Sequence, residues 1–293
     1  MELLHLRYFQ TVARREHISR AAEELRVAQP SLSRTISRLE RELGVPLFDR
    51  NGRRIRLNRF GALFLARVDR VLGELDDARR ELTDAAGLEL GTVSIAAENS
   101  QALSDLLAAF LGEHPGLNVR LSQASAPAML RRLAAGEVDV CVASQPLSGR
   151  HLRSVEILRE DVFLAVPSHH PLAGRFRVHV PELAGEPFVT TRSGYWQRAL
   201  LDRLFADAGL EPTIACEGDE PAAIRSLISA GLGVGLLPAV AHRAASGPPV
   251  AWLRIDARDC HRVLRLVRRE DAYLSAAGRR FCDVATEYFR DSG

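Results

Sequence analysis

Hydrophobic periodicity changes near Gly91, and this change limits the fold of the 293-residue chain more than any other feature. Before it, apolar residues recur three and four apart, as amphipathic helices require. After it, short strand-like runs alternate with helical ones: strand 92–96, helix 103–112, strand 119–122, helix 128–135 and strand 138–143. A β-α-β-α-β order implies a parallel sheet covered by helices. A second set opens at 161–167 and continues through strand 188–191, helix 197–208, strand 213–217, helix 222–230 and strand 234–237. Strand 262–268 and helix 276–290 close the chain, so the pattern predicts two similar α/β lobes with the last segment returning to the first.

The stretch before Gly91 reads as a compact helical head. Leu3, Leu6, Phe9, Val12 and Ala13 mark a first helix, and residues 19–25 mark a short second one with Ala21, Ala22 and Leu25 turned inward. The third is bounded on both sides: Pro30 suits its first turn, and Gly44 with Pro46 stops it. Leu32, Ile36, Leu39 and Leu43 form its apolar stripe, while Arg34, Ser37, Arg38 and Arg41 occupy the opposite face. Two short helices joined by a tight turn at Val27-Ala28 make a helix-turn-helix. Asn51-Gly52 then reads as a two-residue hairpin turn between short strands that carry Arg50, Arg53, Arg54 and Arg56, a basic wing. From Phe60 to about Gly87 runs one proline-free helix with a heptad seam of Phe64, Val68, Val71, Leu75, Ala78 and Leu82. That period predicts dimerisation through the linker, because a connector between domains has nothing in its own chain to bury the seam against.

Charge and composition exclude several chemistries. The chain has no lysine, so all 39 basic residues are arginines, and neither a Walker-type phosphate loop nor a lysine Schiff base is available. Residues 1–59 hold 13 arginines against 7 acidic residues, whereas the rest holds 26 against 30. A basic head on a mildly acidic body predicts that the head meets a polyanion. Cys141, Cys216, Cys260 and Cys282 are scattered without metal-ligand spacing, which predicts reduced structural cysteines; a Cys216–Cys260 redox pair is the alternative. No segment reads as a signal peptide or membrane span, so the expected location is the cytoplasm.

Ala21-Ala22, Leu25, Gln29-Pro30, Ser33, Leu39-Glu40, Leu43-Gly44-Val45, Pro46-Leu47-Phe48 and Arg50 together resemble the DNA-binding head of LysR-type transcriptional regulators in order and spacing. The phrases HPGLNVRLS, GEVDVCVA, HHPLAG and GLGVGLLP resemble that family's effector domain. His17 stands where the family usually has serine, with Ser19 as a substitute cap, and Asn58 replaces a threonine but caps a helix equally well.

The resemblance implies an α/β fold with three parts: a winged helix-turn-helix (1–58), a linker and dimerisation helix (59–88), and a two-lobed effector domain (91–293) resembling periplasmic solute-binding proteins. Lobe I would take about 91–160 and 266–293, and lobe II about 161–265. The third helix would lie in the major groove of promoter DNA. Gln29 can pair with adenine, Arg34 with guanine, and Pro30 can press on a thymine methyl. Ser31, Ser33 and Arg38 complete that face, and Arg50, Arg53 and Arg54 would hold phosphates or the minor groove. Phe64, Val68, Val71, Leu75 and Leu82 would pair two copies, with pairs of dimers forming tetramers, and RNA polymerase is a partner if the protein activates. No cofactor is implied beyond a small-molecule inducer. Polar residues past the strand ends, where α/β sheets bind ligands, are Asn99, Ser100, Gln101, Ser125, Thr191, Arg192 and Tyr195. Arg192 can pair with an organic acid, but Glu98 opposes an anion if it points inward.

Two other classes are weighed against this reading. The chain has no G-x-S-x-G elbow, H-E-x-x-H or paired-cysteine motif to support an enzyme, and the basic head argues against a transport-associated solute-binding protein.

Overall fold

The computed structural model of the protein describes residues 1–51, 54–86, 91–100, 103–243 and 247–291. The chain forms two compact units: residues 1–83 with 134–137, and the remainder from residue 84 on.

In the first unit, α1 (Leu3–Arg15), α2 (Ile18–Leu25) and α3 (Gln29–Leu43) enclose a core closed by the hairpin β1 (Phe48–Asn51) and β2 (Arg54–Leu57) and by the start of α4 (Arg59–Ala85). Phe9 is fully buried at its centre, with ring centroids 5.6 Å from Phe48 and 5.1 Å from Phe64. Glu16 and Arg26 end α1 and α2 in the left-handed conformation, which permits the sharp turns of a helix-turn-helix. His17 itself caps α2, its Nδ1 accepting from the Arg20 N–H at 3.4 Å, so Ser19 is not needed for that role. Asn58 caps α4 as its residue type predicts, its Oδ1 accepting from the Phe60 and Gly61 N–H groups, both at 2.9 Å. Gly61 has to be small: a Cβ there would lie 2.1 Å from the Leu47 carbonyl oxygen.

The hairpin differs from its sequence reading by one residue. Phe48 pairs with Leu57 and Asn51 with Arg54, so Asn51 is a strand residue and the loop falls at 52 and 53, outside the described residues. Both registers put Phe48 and Ile55 on the same face, so alternation cannot choose between them. The Asn58 N–H donating to the Leu47 carbonyl at 3.1 Å extends the observed register, and the Leu57 N–H donating to Glu16 at 2.9 Å ties the second strand to α1.

In the second unit, β3 (Thr92–Ala97), α5 (Ser104–Glu113), β4 (Asn118–Gln123), α6 (Ala126–Ala134) and β5 (Val140–Ala143) form the expected parallel unit, with β3 between β4 and β5. The 16-residue β6 (Leu152–Pro167) then serves two sheets. Its first ten residues pair with β12 (His261–Arg269), which also pairs with β5. Its last six pair with β10 (Gly235–Pro238) on one side and β11 (Val250–Asp256) on the other, and β7 (Arg177–His179) flanks β11. β8 (Pro187–Thr191) and β9 (Thr213–Gly218) pair in parallel, and a Phe188–Val234 bridge joins them to the strand leading into β10.

α7 (Trp196–Asp207), α8 (Ile224–Ser229) and α9 (Ala239–Arg243) belong to this second lobe, while α10 (Ala276–Asp291) returns to the first. Phe110 meets Phe281 edge-on at 5.5 Å in lobe I, and Phe188 meets Phe205 likewise at 5.3 Å in lobe II. Because β12 pairs along its whole length with the lobe I half of β6, the chain re-enters lobe I at His261 rather than near 266. β7, β11 and the first half of β6 are strands that the sequence pattern does not announce.

Candidate nucleic-acid interface and ligand cleft

α3 presents two chemically distinct faces. Leu32, Ile36 and Leu39 are buried in the head, whereas Gln29, Pro30, Ser31, Arg34 and Arg38 are exposed and Ser33 is half-buried. Ala28 stands at the N-cap without a side-chain acceptor, so the N-cap residue leaves the positive end of α3 without a side-chain cap. Arg34 donates from Nε to the Pro30 carbonyl at 3.3 Å, and its two terminal nitrogens have no partner among the described residues. Arg38 is tethered to Glu42 at 3.1 Å. The two arginines therefore differ: one offers a free fork, the other an already paired charge.

Arg50 and Arg54 take strand positions in the hairpin, and Arg53 lies outside the described residues. The hairpin is braced by groups with no obvious sequence signal. Glu40 Oε1 accepts from the Leu47 and Phe48 N–H groups at 2.8 and 3.3 Å, and Glu16 accepts from Leu57 on the other strand. Two carboxylates thereby fix the wing against the helices.

The linker seam divides. Val68 is only 2% exposed and Phe64 is half-buried, both packed on the head core with Leu72. The expectation that the whole seam lacks a partner within the chain is therefore corrected for these two residues, because the head itself covers that side of α4. Val71, Leu75 and Leu82 are exposed, and they share a helix side with the exposed Phe60 and Leu63.

In the second unit the lobes meet through the segment before α7. Gly194 O accepts from the Ala126 N–H at 3.0 Å and from Gln145 Nε2 at 3.1 Å, and the Trp196 N–H donates to Glu98 Oε2 at 3.4 Å. Gly194 has a φ of +95°, and a Cβ there would already press on Ser125 and Pro127 at 3.4 Å. Of the sequence-predicted effector residues, Ser125 and Tyr195 flank this junction, and Asn99 and Ser100 follow Glu98 half-buried. Thr191 is fully buried, its hydroxyl 3.4 Å from Gln197 Oε1. Arg192 does not join the group: it is exposed and paired with Asp219. Gln101 lies outside the described residues.

Glu98, which the sequence marks as opposing an anion if it points inward, is buried at this junction. Glu98 is 2% exposed, and burial pushes its carboxyl up to about 7 against the opposing pull of the Trp196 N–H and Arg262. Arg262 is itself buried and ion-paired with Glu160, and its guanidinium lies 5.3 Å from the Trp196 ring centroid. Glu160 also accepts from the Val240 N–H at 2.8 Å, so this pair ties β6, β12 and the start of α9 together. All four cysteines are free, and burial raises the Cys141 thiol to about 12 and those of Cys260 and Cys282 to about 11, which disfavours their thiolates. Among the described residues no cluster of His, Cys, Asp and Glu has metal-binding form, and no helix is long and apolar enough to cross a membrane.

Comparison with known proteins matches both units. Residues 3–62 fit the family model of the bacterial regulatory helix-turn-helix protein, lysR family, and residues 86–290 fit the LysR substrate binding domain. The chain is 33% identical to the uncharacterised HTH-type transcriptional regulator YybE of Bacillus subtilis (strain 168), over 99% of this chain and 100% of that protein. Among solved structures it is similar to CbnR, a LysR family transcriptional regulator, with a TM-score of 0.67 and 26% identity over 98% of this chain and 99% of that one. It is also similar to full-length CbnR complexed with its target DNA, with a TM-score of 0.57 and 26% identity over 99% and 100% of the two chains.

Proposed function

Since the chain belongs to the LysR family of transcriptional regulators, we propose specific roles for its residues within that function. The protein is a DNA-binding transcriptional regulator with an effector-binding domain, and it is not an enzyme. α3 lies in the major groove of promoter DNA. Gln29, Pro30, Ser31 and Ser33 meet the DNA near the helix start, where backbone N–H groups also favour a phosphate. Arg34 reads a guanine edge with its free fork, and Arg38 adds charge once Glu42 releases it. Arg50, Arg53 and Arg54 on the wing supply phosphate or minor-groove contacts and so affinity more than sequence choice.

Two copies pair through the exposed side of α4, with Val71, Leu75 and Leu82 at the contact and Phe64 and Val68 supporting it from the head core. Dimers associate further into tetramers, the protein works in the cytoplasm, and RNA polymerase is its partner where it activates. A small-molecule effector binds between the lobes of the second unit, near Asn99, Ser100, Gln101, Ser125, Thr191 and Tyr195; Arg192 stands at the rim.

The observation that carries this reading is the exposed start of α3, whose N-cap residue offers no side-chain acceptor, in one compact unit with an arginine-bearing hairpin. Its test is a mobility-shift titration on DNA from upstream of the protein's own gene. Tight binding that weakens steeply with salt supports it. Absence of any shift at low salt contradicts it.

A further inference from the structure

At the carboxyl edge of the lobe I sheet stands a buried acid, Glu98, with one oxygen that lacks a hydrogen-bond partner. Glu98 Oε1 and Ser144 Oγ are both buried without a hydrogen-bond partner, while the Trp196 N–H, the Ser144 N–H and the Gln145 side chain act on the rest of the Glu98 carboxylate. Glu98 directly follows β3 and Ser144 directly follows β5, and these strands are parallel neighbours with Ala97 opposite Val142. The two orphaned atoms therefore belong to residues that leave adjacent strands at the same carboxyl edge, where open α/β sheets bind ligands. Buried polar groups are nearly always satisfied, and an unsatisfied pair at such an edge marks a place where something else supplies the partner.

The surrounding charges indicate what that partner is. Arg262 is held by Glu160, Arg192 by Asp219, and Arg198 by Asp202 and Glu217. Arg132 donates to the Ser122 hydroxyl at 2.8 Å. An anionic ligand would meet Glu98 and find these four arginines already engaged. A ligand bearing a positive N–H group would complete Oε1, donate to the Ser144 hydroxyl, and remove the cost of burying a carboxylate.

Resting on the reading of this cleft as the effector site, we propose that the effector carries a cationic N–H group, an amine or a guanidinium, that docks on Glu98 Oε1 and Ser144 Oγ. The lobes meet at this edge through the segment 194–196, so the ligand enters when that segment parts from lobe I. Its remaining bulk lies toward Ser125 and Tyr195, which flank the same segment.

The test uses the full-length protein without DNA. Propylamine, butane-1,4-diamine and methylguanidine are compared with propionate, succinate and propanol by thermal unfolding and by tryptophan fluorescence, since Trp196 adjoins the site. The same titrations are run on Glu98→Gln, which keeps the shape and the acceptor for the Trp196 N–H, and on Ser144→Ala. Cationic probes are expected to stabilise the wild type, with affinity falling about 10- to 100-fold in Glu98→Gln and several-fold in Ser144→Ala. Binding of the acids in place of the cations, undiminished in Glu98→Gln, overturns the proposal while leaving the effector cleft intact. Binding by none of the probes overturns the proposal and withdraws support from the cleft reading as well. Equal binding of the cations by all three proteins places them elsewhere on the molecule and also overturns it.

Discussion

Replacing Glu98 by glutamine is predicted to make the α/β body more stable above neutral pH. In the folded protein burial raises the carboxyl to about 7 from its ordinary 4.5. Folding therefore favours the protonated acid. Below about 4.5 both folded and unfolded chains carry the proton, and Glu98 imposes no penalty. Between 4.5 and 7 the folded state keeps a proton that the unfolded state has lost, so wild-type stability falls as pH rises, and above 7 the full cost of a buried carboxylate remains. The gap between 4.5 and about 7 corresponds to about 3 kcal/mol. Glutamine stays neutral throughout and still accepts from the Trp196 N–H. Urea unfolding followed by the fluorescence of Trp196 and Trp252 should give similar midpoints for the two proteins at pH 4, below the ordinary carboxyl value. At pH 8 the variant should be more stable by about 3 kcal/mol. Parallel pH profiles, or a variant less stable than wild type at pH 8, would refute the reasoning.

Three other substitutions probe the head and the linker. Arg34→Ala should weaken binding to a cognate site by about 1–3 kcal/mol and relax preference at one base pair, measured by fluorescence anisotropy on matched and mismatched duplexes; a uniform loss on all sequences rules out base reading. Asn58→Ala removes the acceptor of two N–H groups at the start of α4 and should cost about 1 kcal/mol of head stability in chemical denaturation, whereas an unchanged midpoint contradicts the capping role. Leu75→Asp puts a charge on the exposed side of α4 and should convert dimers to monomers in sedimentation velocity without unfolding the head, because Leu75 is 38% exposed and Val68 carries the head contact.

The legible parts of the molecule are those whose signals are local. Pro30 and Gly44 bracket α3 because a proline fits a first turn and a glycine takes the left-handed φ of +72° at the helix end. Asn58 is legible for the same reason, since a cap acts on the next three residues. The first half of β6 is not: its residues 153–156 are exposed, rich in charge, and held as a strand only by pairing with β12 about a hundred residues later. The helical period of the linker is legible, but the sequence does not show that the head takes Phe64 and Val68 for its own core. Topology points to the strand ends as the place for a ligand, but the polar contacts found there, such as Trp196 to Glu98 and Arg262 to Glu160, join residues far apart in sequence. Arg192 drew attention by residue type; Asp219, brought near only by the fold, neutralises it.

The central claim is that this head reads DNA sequence as a paired unit, and the most direct measurement is selection of bound duplexes from a random pool by the full-length protein, followed by sequencing. The account predicts enrichment of two related half-sites in inverted orientation, with centres about one helical turn or a multiple of it apart. Recovery of a pool no different from the input, or of one undivided motif with no dyad relation, would contradict it.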